Sequence, residues 1–212
     1  APAYVLVDSS VAENFVRLLC GKIGEMYGKA AFMNPDYGHM VNEKHFDRVM
    51  GLIDPEKVVY GGRGKRDTLQ IEPTVMMNVT AEDAVMGEEI FGPVLPIVVV
   101  DSMEEALAFV KKRDKPLAAY VFTDDKAFEK RFLTEISFGG GCINDTIVHM
   151  ATSRMAFGGV GASGMGSYHG KDSFQTFTHK KSILKKYNWL DMPLRYEPYN
   201  SVKLSLVKLF IR

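Results

Sequence analysis

Cysteine is nearly absent from this chain: only Cys20 and Cys142 occur in 212 residues. Two thiols make no disulfide framework, so the fold must rest on its core, and a reducing compartment is expected. Net charge is absent too, with 26 basic residues against 26 acidic ones. A nucleic-acid binder normally carries a strong basic excess, so that class is set aside. Long hydrophobic runs are missing: the longest central one, Val94–Val100, has seven residues and is interrupted by Pro96. A membrane-spanning helix needs about 20. No secretory leader, internal repeat or low-complexity tract is visible, and the sequons at Asn78 and Asn144 read as chance matches.

What is present is ordinary globular composition, 46% hydrophobic and 25% charged. A chain of this size should remove roughly 70% of its unfolded surface from water. The charge is unevenly spread. From Lys171 onward nine basic and three acidic residues give a local excess of +6, balanced by −6 in residues 1–170. Such a basic tail is usually a solvated face or meets an acidic surface.

The pattern along the chain is that of alternating strands and helices. Ala3–Val7 reads as a buried strand, and Ser10 with Glu13 as a capping box opening a helix that Gly28 stops. Phe46, Val49, Met50 and Ile53 mark a second helix, ended by Asp54-Pro55. Lys57–Tyr60 is a strand candidate, and the glycine-rich segment after it a turn. Leu69–Val79 is extended, with Pro73 pointing to an edge or irregular strand. Val94–Val100 is a strand covered on both faces. Ser102 with Glu105 caps the next helix, Leu117–Phe122 is a strand, and Asp124 caps a helix reaching Phe132. Gly139–Gly141 breaks the pattern, which Cys142–Asn144 resumes as a strand. Ser173–Leu184 reads as extended and Val202–Ile211 as amphipathic. This grammar predicts an α/β fold: an open, mostly parallel twisted sheet with helices on both faces.

Most motif matches are weak. Gly159–Gly164 fits G-x-G-x-x-G, but no acid occurs about 20 residues on, near Leu184, so a structural glycine loop is the better reading. Neither Ser163 nor Ser167 has glycine at both −2 and +2, as a nucleophile elbow requires. His39, His45, His149, His169 and His179 have no metal-ligand spacing, and no metal is expected. Cys20 reads as a small apolar residue within a helix. Cys142 would need a cation or helix terminus nearby to be reactive, and no such partner is legible. Gly87–Pro93 (GEEIFGP), directly ahead of the buried strand, is sharper. A carboxylate there can grip two sugar hydroxyls while an aromatic two residues on lies against a ring, since ligands collect at strand ends in open α/β sheets. A polar loop end with Phe91 tucked into the core is the competing reading.

Glu88–Val94 resembles the E-E-I-F-G-P signature of NAD(P)-dependent aldehyde dehydrogenases. Cys142–Thr146 (CINDT), Phe157–Gly166 (FGGVGASGMG) and Tyr168-His169-Gly170 continue the likeness. Phe174–Leu184 (FQTFTHKKSIL), Pro193–Tyr196 and Pro198-Tyr199 are similar to the dimeric class 3 branch. The resemblance implies a catalytic domain over residues 1–172 and an extended oligomerisation strand and tail over 173–212, with the nucleotide-binding domain elsewhere in the same polypeptide. It implies that Glu89 hydrogen-bonds the nicotinamide ribose of NAD or NADP, that Phe91 lies by the nicotinamide, and that Asn144 braces the catalytic loop. Ile147, Phe157 and His169 fall where class 3 enzymes line the aldehyde pocket. Ala1-Pro2-Ala3-Tyr4 matches the segment just after the family's nucleophilic cysteine, which would lie two residues before Ala1, with the general-base glutamate also upstream. The implied chemistry is oxidation of a small-molecule aldehyde to a carboxylic acid through a cysteine thiohemiacetal and thioester, in a cytoplasmic homodimer. The 212 residues alone are expected to be inactive. A non-catalytic dimerising module of the same fold is the alternative, and membrane attachment through Val202–Arg212 is not favoured.

Overall fold

The computed structural model describes residues 2–28 and 30–210. The main sheet has four strands in the order β1-β6-β5-β2. They are β1 (Val5–Asp8), β2 (Val58–Tyr60), β5 (Thr74–Met76) and β6 (Val94–Val100). β6 runs parallel to β1, with Val5 opposite Ile97, and parallel to β5, with Thr74 opposite Val94. β2 closes one edge antiparallel to β5, with a register shift between Val58 and Tyr60. A two-residue antiparallel pair joins β3 (Gly64–Lys65) to β4 (Gln70–Ile71). Separately, β7 (Ala118–Val121) pairs in parallel with β8 (Gly140–Ile143).

Alternating side chains of β6 show why this strand reads as a continuous apolar run. Val94, Val98 and Val100 enter one core with Phe46 and Val49 of α2 (Glu43–Gly51), Ile71, Met76 and Ile90. Ile97 enters the opposite core with Val7 and Val75, against Phe15, Leu19 and Ile23 of α1 (Ala12–Tyr27). Helices therefore cover both faces, as the pattern predicts. A third cluster joins Leu107 of α3 (Met103–Lys111) to Val121, Ile136, and Phe128 and Phe132 of α4 (Lys126–Glu135). α3 thereby bridges the main sheet, through Ala106 and Phe109, to the β7–β8 pair.

Several local expectations need correction. Ser10 does not cap α1: its hydroxyl turns back to the Asp8 carboxylate, and Val11 occupies the N-cap with no side-chain bond. Asp125, not Asp124, caps α4, accepting from the Ala127 and Phe128 amides at 2.8 and 3.3 Å. Pro73 does break the 69–79 segment, but β5 beyond it is interior, hydrogen-bonded between β6 and β2, with all three residues buried. Gly140 and Gly141 lie inside β8 instead of ahead of it, because the strand is closely covered. A β-carbon on Gly140 would come within 3.0 Å of the His149 ring. Ser102 behaves as expected, accepting from the Glu105 amide at 3.1 Å while Glu105 accepts from the Asp101 amide at 2.8 Å.

One compact unit ends at Thr176 and a second begins at Phe177. Residues 173–176, expected to be extended, instead complete α5 (Gly170–Thr176), and 177–184 adopt no regular structure. An isolated strand has no ladder partner within its own chain to satisfy its amides. The second unit contains α6 (Ser201–Phe210), a Tyr187–Trp189 ring contact at 5.9 Å and a Lys186–Asp191 ion pair at 3.0 Å. Ile211, at the end of the expected amphipathic stretch, lies outside the described residues.

Candidate functional site

The Glu88–Pro93 loop enters β6 at its amino end, on the side where β1 also begins. Ligands of open α/β sheets collect at the carboxyl ends of strands, so that general rule does not carry the site. The local geometry does. Ile90 is 3% exposed and anchors the loop in the main core. A β-carbon at Gly92 would come within 2.9 Å of Val49 Cγ1, so α2 presses directly on the loop there. Phe91 has a positive φ of 47°, a backbone conformation that non-glycine residues seldom adopt. Its ring is 75% exposed instead of tucked into the core. Glu89 is also exposed, and its carboxylate has no hydrogen bond or ion pair among the described residues. Neighbouring Glu88 is engaged instead by Arg48, at 3.1 Å.

Arg48, near the end of α2, and Arg113, just beyond α3, also bond the main chain of this loop. The Arg48 guanidinium donates to the Ile90 carbonyl at 2.6 Å and more weakly to that of Glu89 at 3.4 Å. Arg113 donates to the Met86 carbonyl and lies over the rings of Tyr4 and Phe109, 5.6 and 5.8 Å from their centroids. Sequence reasoning missed both arginines. Burial pushes the Tyr4 hydroxyl pKa up, partly offset by the Arg113 charge.

A second group of candidates gathers around β8. Asn144, at φ 56°, accepts from the Thr123 amide at 2.8 Å and donates to the Thr123 carbonyl at 3.1 Å, tying the ends of β7 and β8 together. Ile147 also holds a positive φ, 66°, and is half-exposed. Phe157 and Tyr168 form an antiparallel bridge, each amide bonding the other's carbonyl at 2.9 Å. Phe157 stacks on His169 at 6.0 Å and lies 5.9 Å from the His149 ring. The structure thus brings Phe157 and His169 together. Among the described residues, no hydrogen bond or ring contact joins this group to Glu89 or Phe91.

Cys142 has the neighbour that sequence did not reveal. His149, 5% exposed, places Nδ1 3.6 Å from Cys142 Sγ, and its Nε2 is buried without a partner. Cys142 also lines a small apolar hollow with Phe132 and Phe138. Cys20 is half-buried against the α1-side core, and burial pushes its thiol pKa up. No cluster of three or more His, Cys, Asp or Glu side chains suited to a metal occurs among the described residues. A surface cleft lined by Tyr60, Arg63 and Glu72 contains none of the expected site residues, and its two charges satisfy each other at 2.6 Å.

The sequence matches the aldehyde dehydrogenase family over residues 1–183. The chain belongs to that family. It is 45% identical over its whole length to a 4,4'-diaponeurosporen-aldehyde dehydrogenase of Staphylococcus aureus, of which it covers 46%. Over 87% of the chain it is 48% identical to a dimeric NADP-preferring aldehyde dehydrogenase of Bos taurus, covering 77% of that sequence. Among solved structures, the substrate-bound state of Staphylococcus aureus AldH superposes with a TM-score of 0.92 at 45% identity, over all of this chain and 46% of that one. The chain thus spans about half the length of the staphylococcal relative. The α/β architecture with open, largely parallel sheets is that of the family.

Proposed function

We propose that this chain supplies the catalytic-domain face that receives the nicotinamide end of NAD or NADP in an aldehyde dehydrogenase. The supporting observation is the pair Glu89 and Phe91: an exposed, unpaired carboxylate and an exposed ring two residues apart, on a loop whose main chain is fixed. A free carboxylate accepts two hydroxyl donors from a ribose, and a flat apolar ring lies against a heteroaromatic one. The residues present therefore fit the coenzyme, which when bound supplies the hydride acceptor for aldehyde oxidation. The chain's own part is positional, since displacing reacting atoms by about 1 Å can cost on the order of 100-fold in rate. Asn144 acts at one remove, fixing the loop after β7 through Thr123. Ile147, Phe157 and His169 form the aldehyde side, offering an apolar surface to a small-molecule substrate.

Neither thiol is proposed as the nucleophile. Cys20 lies inside α1 with its pKa raised by burial, and Cys142, although His149 stands 3.6 Å away, lines an apolar hollow and has no contact with the Glu89 and Phe91 loop among the described residues. The 212 residues alone are therefore proposed to be inactive, the nucleophile and nucleotide-binding domain belonging to the same longer polypeptide. The tail, with Ile183 and Leu184 at 75% and 92% exposure, is proposed as the dimerising segment of a cytoplasmic homodimer. No helix among the described residues is long and apolar enough to cross a membrane.

Glu89→Gln in the dehydrogenase carrying these residues should raise the coenzyme KM and slow hydride transfer roughly 10-fold to 100-fold with an unchanged melting temperature. An unchanged rate of hydride transfer removes the role assigned to Glu89. The isolated chain mixed with an aldehyde and NAD+ or NADP+ should form no reduced coenzyme, and measurable turnover would refute its inactivity.

A further inference from the structure

The loop that presents Glu89 and Phe91 has little intrinsic rigidity. From Glu88 to Gly92 it makes no strand pairing, the first bond to β5 coming at the Pro93 carbonyl, and Phe91 adopts a costly backbone conformation. Its order must come from outside. Buried side chains supply part of it: Met86 and Ile90 are 4% and 3% exposed. The remaining constraint acts on carbonyl oxygens. Arg48 reaches the Glu89 and Ile90 carbonyls and the Glu88 carboxylate from α2, while Arg113 reaches the Met86 carbonyl from the end of α3. The two arginines approach the loop from different helices and hold both ends of the Met86–Ile90 segment.

We propose that Arg48 and Arg113 are positioning residues for coenzyme binding, fixing the Glu89 and Phe91 side chains in the outward geometry that the nicotinamide end requires. The inference rests on the role proposed above for Glu89. Charge-assisted bonds from a guanidinium to carbonyls are directional, and the planar fork serves several acceptors at once. Lysine has three donors but only one nitrogen, whereas Arg48 reaches Glu88 and Glu89 from one nitrogen of the fork and Ile90 from the other. Arg48 is also only 23% exposed on its side chain, so its bonds are poorly replaced by water. Arg113 adds a second connection. Seated against Tyr4, immediately ahead of β1, it couples the loop to the entry of that strand. A shift in either element is thereby transmitted to the other.

Arg48→Ala, Arg48→Lys, Arg113→Ala and Glu89→Gln should be compared in the dehydrogenase carrying these residues, alongside amide hydrogen exchange of the 212-residue chain. Arg48→Ala should raise the coenzyme KM about 10-fold, leave the aldehyde KM within about twofold, and speed exchange across residues 87–91 without affecting β6. Arg48→Lys should recover part of the KM and part of the exchange protection. Arg113→Ala should act in the same direction, with faster exchange also at residues 4–6. Should Arg48→Ala fail to fold, the lysine variant carries the test, and a coenzyme KM equal to wild type for it would overturn the proposal. The proposal is equally overturned if Arg48→Ala loosens the loop but leaves the coenzyme KM within about twofold while Glu89→Gln raises it. If Glu89→Gln also leaves the coenzyme KM and hydride transfer unchanged, the assignment of the loop to the coenzyme fails instead.

Discussion

Residues up to Thr176 and residues from Phe177 onward solve the burial problem in opposite ways. In the first unit, Val49, Met76 and Ile97 are wholly buried, and three apolar clusters account for both sheet faces and the β7–β8 pair. In the second, Phe177, Leu184, Trp189 and Leu209 are each more than 70% exposed. The hydrophobic effect rewards area removed from water, so the first segment has reason to fold by itself. Similar hydrophobic content in the two segments is therefore disposed differently, buried as a core in one and exposed in the other, which is the observation behind the proposed dimerising role of the tail.

The strongest attack on the contrast is Ile97→Ala, which should cost about 3–4 kcal/mol in urea denaturation because the side chain is fully buried between β1 and β5. Gly92→Ala comes next. The new methyl meets Val49 across the loop, so a loss of about 1–3 kcal/mol is expected, with altered near-ultraviolet dichroism from displaced aromatic rings. Asp83→Asn should lower Tm by roughly 2–4 °C at neutral pH. The hydrogen bond from Lys57, at 2.5–2.7 Å, holds the Asp83 carboxyl below its usual range, helped by the Thr80 amide. A carboxylate lowered in this way adds stability that is fully present above about pH 4 and fades as pH falls through the folded value. Thermal scans of the two proteins should therefore converge once pH falls below the lowered pKa of the folded Asp83 carboxyl. Leu184→Ala should be the mildest, within about 0.5 kcal/mol on the unfolding of the first unit. Its effect should instead appear as a weakened dimer in analytical ultracentrifugation. A Leu184 substitution as destabilising as that of Ile97 would erase the distinction between the segments.

The loop is legible in the sequence because its chemistry is contiguous: Glu89, Phe91 and Gly92 lie within one short motif. Alternation also predicts β6, whose two faces meet different cores. Arg48 and Arg113 are illegible for a definite reason. They stand 41 and 27 residues from the carbonyls they bond, and a main-chain acceptor leaves no trace in residue identity. His149 escapes notice beside Cys142 because the turn at Ile147 brings it back under the strand, and positive φ at an isoleucine is not written in any periodicity. Gly140 and Gly141 read as punctuation because glycine usually interrupts strands, yet here they make room for His149 and the Ala119 main chain. The tail defeats pattern reading differently. Partial alternation over Ser173–Leu184 suggests an extended segment, but alternation specifies a face and not the partner that must pair with it.

Because the two guanidinium groups address oxygens that every amino acid shares, their hold on this segment does not depend on the side chain at position 89, whereas position 91, at a φ of 47°, disfavours β-branched residues. A saturation library at position 89 should therefore return folded proteins at high frequency, and one at position 91 a narrower set poor in valine, isoleucine and threonine.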